Sequence, residues 1–323
     1  MQKKKVFLTR TLHDFALKEL KKRYQIQVHS GKIPIPKNIL KNKIKTMDGL
    51  ICFPYDKIDS EMIDLAPNLK VISTYSVGFD HIDINHAKNK KIRVGYTPEV
   101  LTDATADMAF TLMLDVMRRV TEGDKIIRDG KWSQIYGAYD YVGIDLQGKT
   151  LGILGLGRIG SVLAKRAKAF DMKIIYHNRT RVSKTKEKTL GVKYVSKEKL
   201  ITQSDVISIH VPHTVETNQL FDKTVFKKMK KSAFLINTAR GKIINESDLV
   251  VALKKKTIAG AGLDVFESEP IGKENQLTKI QNIVLAPHIG SSTKETREEM
   301  ARITVKNLNL GINGKKPIYS VGH

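Results

Sequence analysis

The stretch Thr150-Leu151-Gly152-Ile153-Leu154-Gly155-Leu156-Gly157-Arg158-Ile159-Gly160 constrains this chain more than any other. Its apolar run, Leu151 to Leu154, fits a buried parallel strand, and the glycines then open a helix from about Arg158 toward Phe170. Gly155 permits a tight turn, Gly157 lets a pyrophosphate approach the backbone, and Gly160 lets helix and strand pack closely. The unpaired N–H groups at the helix start then point at phosphates. With a second strand expected over Lys173 to His177, the stretch predicts dinucleotide binding rather than a glycine-rich structural turn.

At 323 residues the chain has room for two domains, each with its own core. No apolar run approaches the length that spans a membrane, and Lys3-Lys4-Lys5 leads into a short strand rather than a signal-peptide core. The single cysteine, Cys52, sits in an apolar run and reads as a small core residue in a reducing compartment. A cytoplasmic protein with no membrane partner is expected. The formal net charge of +23, from 56 Lys and Arg against 33 Asp and Glu, invites a nucleic-acid reading. The lysines are scattered in short clusters such as Lys227-Lys228 and Lys254-Lys255-Lys256, with no basic stripe interleaved with aromatics. They read as solvated surface, and no nucleic-acid partner is expected.

From Val6 to about Tyr96, short apolar runs (6–8, 26–29, 50–53, 71–75 and 92–94) alternate with helical patterns near 12–22, 36–45, 59–65 and 82–88. Such alternation, with crossovers of this length, predicts a parallel sheet covered on both faces. Thr97-Pro98 then precedes a long helical pattern from about Val100 to Val120, apolar over a broad surface. The segment from Gly130 to Gly148, with Trp132, Tyr136, Tyr139 and Tyr141, has no clear period and reads as an ordered loop forming an interface or pocket wall. Beyond the glycine-rich unit, strands are expected over 205–210, 233–237, 258–265 and 283–285, and a last helix over 294–310. Because the fingerprint lies mid-chain, residues 1–98 and 291–323 are expected to form one discontinuous substrate-binding domain around a dinucleotide-binding domain of residues 99–290. With the chain ending at His323, no added regulatory domain is expected.

In open α/β sheets ligands bind beyond the carboxyl ends of the strands, and three residues stand there: Arg240, Glu269 and His288. Reduction of a 2-oxo acid requires a cation for the carboxylate, a proton donor titrating near neutrality, a carboxylate to keep that donor charged, and a hydride source. Arg, His, Glu and the dinucleotide turn meet those needs. Position alone does not single out His288, since His210 and His213 also lie near a strand end.

The motifs Gly155-Leu156-Gly157-Arg158-Ile159-Gly160, Asn237-Thr238-Ala239-Arg240-Gly241, Gly262-Leu263-Asp264-Val265-Phe266-Glu267-Ser268-Glu269-Pro270 and Pro287-His288-Ile289-Gly290-Ser291 resemble those of D-2-hydroxyacid dehydrogenases, in family order and over nearly the whole chain. The segments 73–81 and 93–103 most resemble the glyoxylate/hydroxypyruvate reductase branch. The resemblance implies an α/β fold of two doubly wound parallel-sheet domains, a flavodoxin-like substrate domain split around a Rossmann domain. It implies that Arg240 binds the substrate carboxylate and polarises the carbonyl, that His288 donates the proton, and that Glu269 pairs with His288. The backbone N–H groups of Val77 and Gly78 would hold the carboxylate, and domain closure would precede hydride transfer. Arg158, Ile159, Thr238 and Asp264 would join the glycines in binding cofactor, Asp264 at the nicotinamide end. A homodimer is the expected assembly.

After the second strand an NAD enzyme places an acid on the ribose hydroxyl, whereas a 2′-phosphate needs cations and no acid. Here the turn reads His177-Asn178-Arg179-Thr180-Arg181, which favours NADPH, with NADH possible. Glyoxylate and hydroxypyruvate are the expected substrates, giving glycolate and D-glycerate. The aromatic loop departs from the eukaryotic hydroxypyruvate reductases: Trp132 is present, but Gln134-Ile135-Tyr136 stands where a second tryptophan is expected. Phe53 and Pro54 are candidate pocket residues, or equally core and turn residues. D-lactate- and phosphoglycerate-type dehydrogenases share the triad pattern, formate dehydrogenases typically carry an amide where Glu269 stands, and a nucleotide-sensing corepressor is a reading from a different class.

Overall fold

The computed structural model describes residues 2–322, and in it the alternation of apolar runs and helical patterns becomes strand and helix in turn. The first half runs β1 (Lys5–Leu8), α1 (Asp14–Arg23), β2 (Gln25–Val28), α2 (Lys37–Ile44), β3 (Gly49–Cys52), α3 (Ser60–Asp64), β4 (Val71–Thr74), α4 (Ile84–Asn89) and β5 (Arg93–Gly95). β3 and β4 are buried at every residue, as strands with helices over both faces must be. Short polar side chains set the helix starts. Asp59 accepts the Met62 N–H at α3, and Asp83 accepts the His86 N–H at α4.

The helix expected from about Val100 to Val120 is α5 (Thr102–Arg118), and an unanticipated second helix, α6 (Val120–Arg128), follows it after Arg119 at φ 58. A left-handed arginine is unfavourable by about 1 kcal/mol. Its guanidinium offsets that cost with two bonds to Glu122, at 2.9 and 2.7 Å, and a stacking position 4.0 Å from the Tyr141 ring. α5 buries Ala106, Ala109, Phe110, Met113, Val116 and Met117 at helical spacing, whereas no residue of α6 is buried.

The chain continues through β6 (Thr150–Leu154), α7 (Arg158–Lys168), β7 (Lys173–His177), α8 (Lys184–Leu190), β8 (Val192–Tyr194), α9 (Lys197–Gln203), β9 (Val206–Ile209), α10 (Lys223–Lys228), β10 (Phe234–Asn237), α11 (Glu246–Lys254), β11 (Gly260–Leu263) and β12 (Ile283–Leu285). It closes with α12 (Lys294–Ile312) and β13 (Ser320–Val321). Between α6 and β6 the aromatic segment has no helix or strand. β11 is four residues, shorter than the apolar run 258–265 that announces it.

Two units result: a split one, up to Leu101 and from Ser292 onward, and a central one, Thr102–Ser291. The crossing points thus fall at 101/102 and 291/292, against the expected 98/99 and 290/291. In the split unit the sheet order is β13-β5-β4-β3-β1-β2, parallel except for β13, which gives the flavodoxin-like arrangement. α12 closes this unit. Ser73 Oγ donates to Thr304 O at 2.9 Å, and Asn307 Nδ2 donates to Tyr96 O at 3.0 Å.

The central unit's sheet is parallel throughout, in the order β12-β11-β10-β9-β6-β7-β8, the Rossmann order with one further strand. Its side chains feed two apolar layers alternately: Ile174 and Tyr176 enter one and Ile175 the other. Each large apolar side chain fully buried there contributes about 1.5–3 kcal/mol. Cys52 is buried in the split unit's core, where burial pushes its thiol far above the ordinary range and leaves it inert. No helix among the described residues is long and apolar enough to cross a membrane.

Candidate active site

β6 and β9 lie side by side where the strand order of the central sheet reverses, and the glycine-rich turn follows β6 at that point. Gly155 sits at φ +101, where a Cβ would stand 2.7 Å from the His210 carbonyl carbon and oxygen. Only glycine is accommodated there. At Gly160 a Cβ would approach Gly155 O to 2.4 Å, so α7 can lie this close to β6 only without a side chain. Gly157, the N-cap of α7, faces open space. Arg158 is exposed and Ile159 half-buried at the helix start.

The turn after β7 is tied to this loop, because Asn178 Oδ1 accepts the Leu156 N–H at 2.6 Å. Arg179 and Thr180 are exposed. Arg181 is committed elsewhere: its Nε and Nη2 each donate to Glu187 at 2.7 Å, and its guanidinium lies 5.2 Å from the Tyr194 ring. The Arg181 guanidinium and the Tyr176 hydroxyl together hold the Glu187 carboxyl down to about 2. The sequence pattern presents Arg179 and Arg181 alike, and the structure separates them. Glu187 carried no local signal, since its partners come from β7 and the turn before α8.

At the carboxyl end of β10, Asn237 Oδ1 accepts the Ala239 N–H at 3.0 Å and Nδ2 donates to Arg240 O at 2.9 Å. The Arg240 guanidinium Nη1 donates to Ala239 O at 2.7 Å. Thr238 is 8% exposed, and its buried hydroxyl has no hydrogen-bond partner among the described residues. An orphaned hydroxyl costs about 1–3 kcal/mol, so it marks a place where a ligand completes the site. Together with the glycine cradle, it fits a bound nicotinamide dinucleotide. Gly157 and the N–H groups at the start of α7 would face the pyrophosphate, on a turn that Gly155 and Gly160 make possible, and Thr238 would hold another polar group of the cofactor.

His288 Nδ1 and Glu269 Oε2 are 2.6 Å apart, and Glu269 Oε1 accepts the Phe266 N–H at 2.8 Å. His288 itself is at φ 55, a left-handed position for a non-glycine residue. Asp264 explains how it is held there: its Oδ1 accepts the Ile289 N–H and its Oδ2 the Gly290 N–H, both at 2.7 Å. Asp264 is 1% exposed, and burial raises its pKa. The role this carboxylate displays is a brace beneath His288, beside the cofactor contact expected of it. The rival histidines separate clearly. His210 is pushed down to about 4 by burial and lies 2.8 Å from Ser208 Oγ, while His213 faces Asn218 Oδ1 at 3.0 Å. Of the three, His288 is the one bonded to a carboxylate.

In the split unit, Val77 and Gly78 follow β4 on a loop pinned by Ser76, whose Oγ donates to Gly78 O at 2.6 Å. Their own N–H groups donate to no acceptor among the described residues, an arrangement suited to an anion. Phe53 is buried and its ring lies tilted against that of Tyr75 at 5.0 Å between centroids, with Arg10 5.3 Å over its ring. No group of His, Cys, Asp and Glu among the described residues could hold a metal ion.

Residues 110–290 match the family described as the D-isomer specific 2-hydroxyacid dehydrogenase, NAD binding domain. The chain belongs to the D-isomer-specific 2-hydroxyacid dehydrogenase family. This dehydrogenase is 47% identical over 318 residues to the glyoxylate reductase of Thermococcus litoralis, covering 98% of this chain and 96% of the relative. Among solved structures it is similar to a Thermus thermophilus protein, at 43% identity and TM-score 0.91, covering 98% and 99% of the two chains. It is also similar to an NADPH-dependent glyoxylate/hydroxypyruvate reductase of Sinorhizobium meliloti solved with NADP and malonate, at 29% identity and TM-score 0.86, covering 99% and 97%. Membership makes the protein an NAD(P)-dependent oxidoreductase that interconverts 2-oxo and 2-hydroxy acids.

Proposed function

We propose that the dehydrogenase reduces glyoxylate to glycolate and hydroxypyruvate to D-glycerate, with NADPH preferred over NADH. The observation that carries the chemistry is the 2.6 Å contact between His288 Nδ1 and the Glu269 carboxylate. It fixes the ring and leaves Nε2 as the nitrogen for proton donation. When bound, the reduced nicotinamide supplies the hydride. His288 protonates the carbonyl oxygen of the substrate, and Glu269 holds the imidazolium until the proton leaves. Arg240 pairs with the substrate carboxylate and polarises the neighbouring carbonyl, and the Val77 and Gly78 N–H groups take the carboxylate's remaining lone pairs.

The NADPH preference is supported by a turn with no carboxylate from Asn178 to Arg181. With Arg181 held by Glu187, Arg179 and Thr180 are the groups left for a 2′-phosphate. The S. meliloti relative is likewise described as NADPH-dependent. Arg179→Ala is expected to raise KM for NADPH roughly 10- to 100-fold, the worth of one or two charge-assisted bonds, and to change KM for NADH less than about twofold. A panel of 2-oxo acids with both cofactors tests the whole reading. Glyoxylate-dependent oxidation of NADPH supports it, whereas equal efficiency with NADH, or faster turnover of pyruvate than of glyoxylate, overturns it.

We further propose a homodimer built on α6 and the segment after it. Val120, Ile127, Trp132, Ile135, Tyr139 and Val142 are all exposed there, an apolar concentration that a second copy would cover. A sedimentation mass near the 36.4 kDa of one chain would refute this.

A further inference from the structure

Two acidic residues outside the triad are bound to each other through their backbones. The N–H of Glu246, the first residue of α11, donates to Glu267 Oε1 at 3.1 Å, and the N–H of Glu267 donates to Glu246 Oε1 at 2.5 Å. Asn275 Nδ2 reaches the other Glu246 oxygen at 3.4 Å. Neither acid forms an ion pair among the described residues, and burial, with the charges of Glu267 and Glu269, raises the Glu246 pKa. Placing like charges together this way opposes stability. The location of the pair indicates what is gained.

The peptide joining Phe266 to Glu267 lies against Gly241 so closely that a Cβ there would sit 1.8 Å from Phe266 C and 2.5 Å from Glu267 N. This one peptide is thus fixed on one side by Gly241 and on the other by the Glu246 carboxylate. Phe266 N–H, one atom group upstream, is the donor to Glu269 Oε1, and Glu269 holds His288. Gly241 in turn follows Arg240 directly. Both the carboxylate behind the proton donor and the backbone behind the substrate cation therefore depend on where this peptide stands.

We propose that Glu246 and Glu267 are positioning residues for the reaction: their reciprocal clasp sets the Phe266–Glu267 peptide, and through it the register of Glu269 on His288 and of Arg240 on the substrate. The inference rests on the proposed roles of Glu269, His288 and Arg240. What the clasp requires of residue 246 is an acceptor at full side-chain reach, not a charge. Glutamine should serve in that position; aspartate, one methylene shorter, should not.

The test compares Glu246→Gln, Glu246→Asp and Glu246→Ala with Glu269→Gln, measuring kcat, KM for glyoxylate and for NADPH, and the pH profile. Glu246→Gln is expected to keep kcat within about twofold, while Glu246→Asp and Glu246→Ala each lower it at least roughly tenfold, the worth of displacing a hydrogen-bonded catalytic partner. A weaker grip of Glu269 on the imidazolium moves the alkaline limb of kcat/KM to lower pH, and KM for NADPH stays constant because the glycine cradle is untouched. The double variant Glu246→Ala with Glu269→Gln should lose less activity than the two single losses combined, because one of the two routes by which the clasp acts is already gone. Unmoved pH limbs, a Gln variant as slow as the Ala variant, or additive losses in the double variant overturn the clasp. If Glu269→Gln costs activity and Glu246→Asp does not, the clasp falls and the triad stands; if Glu269→Gln costs nothing, the triad reading itself falls.

Discussion

Arg240→Ala is expected to lower kcat/KM for glyoxylate by roughly a thousandfold or more, while NADPH affinity stays within about twofold. One bidentate cation is asked to do two things, hold a carboxylate and polarise the adjacent carbonyl, and losing a preorganised donor of this kind costs about 2.7–4 kcal/mol in the transition state. The turn that presents it loses the Nη1 bond to Ala239 O with the side chain but keeps the two bonds of Asn237, to the Arg240 carbonyl and from the Ala239 N–H. Removal of the side chain should therefore leave the backbone, and the contact proposed between Thr238 and the cofactor, in place. Fluorescence titration with NADPH beside steady-state kinetics checks this. A collapse of cofactor affinity matching the loss of activity would reassign Arg240 to the cofactor.

For His288→Ala the expected loss lies in kcat, about 10²- to 10⁴-fold, the usual worth of a positioned general acid, with little change in KM for glyoxylate. The pH profile carries the second signature. The expected signature is an alkaline limb in the pH profile that is present in the wild type and absent from the variant. His288→Asn is the companion variant, because asparagine tolerates the left-handed backbone that His288 adopts at φ 55. Unchanged turnover in both would remove His288 as the proton donor.

Much of this architecture is legible in the sequence itself. The glycine turn announces itself because each glycine answers a separate steric demand, and the structure shows two of them as collisions a Cβ would make, at Gly155 and Gly160. Strands covered on both faces announce themselves as apolar runs, and β3, β4 and β9 are buried at every residue. The end of α5 is legible to within two residues, but α6 beyond Arg119 is not. No residue of α6 is buried, so it has no core-facing period, and the partners that stabilise the left-handed backbone at Arg119, Glu122 and Tyr141, matter only in three dimensions. β13 is two residues long, too short to carry a period. At the site, residue types were readable and their commitments were not: Arg181 and Arg179 look alike in sequence until Glu187 claims one of them. Asp264 likewise displays a bracing role through bonds to residues 25 and 26 positions downstream.

The split unit imposes an order of assembly on the growing chain. Its five parallel strands are synthesised first, yet the helix that covers β3, β4 and β5, and the β13 strand that borders β5, are synthesised last. The ribosome therefore releases a central unit whose strands and helices are all contiguous before the first sheet has received its final layer. Until Leu308 and Ile312 arrive, the apolar face around Gly49 has no cover. A nascent chain of this architecture carries an exposed β-sheet through most of its synthesis, and that interval is when aggregation or chaperone capture acts on it.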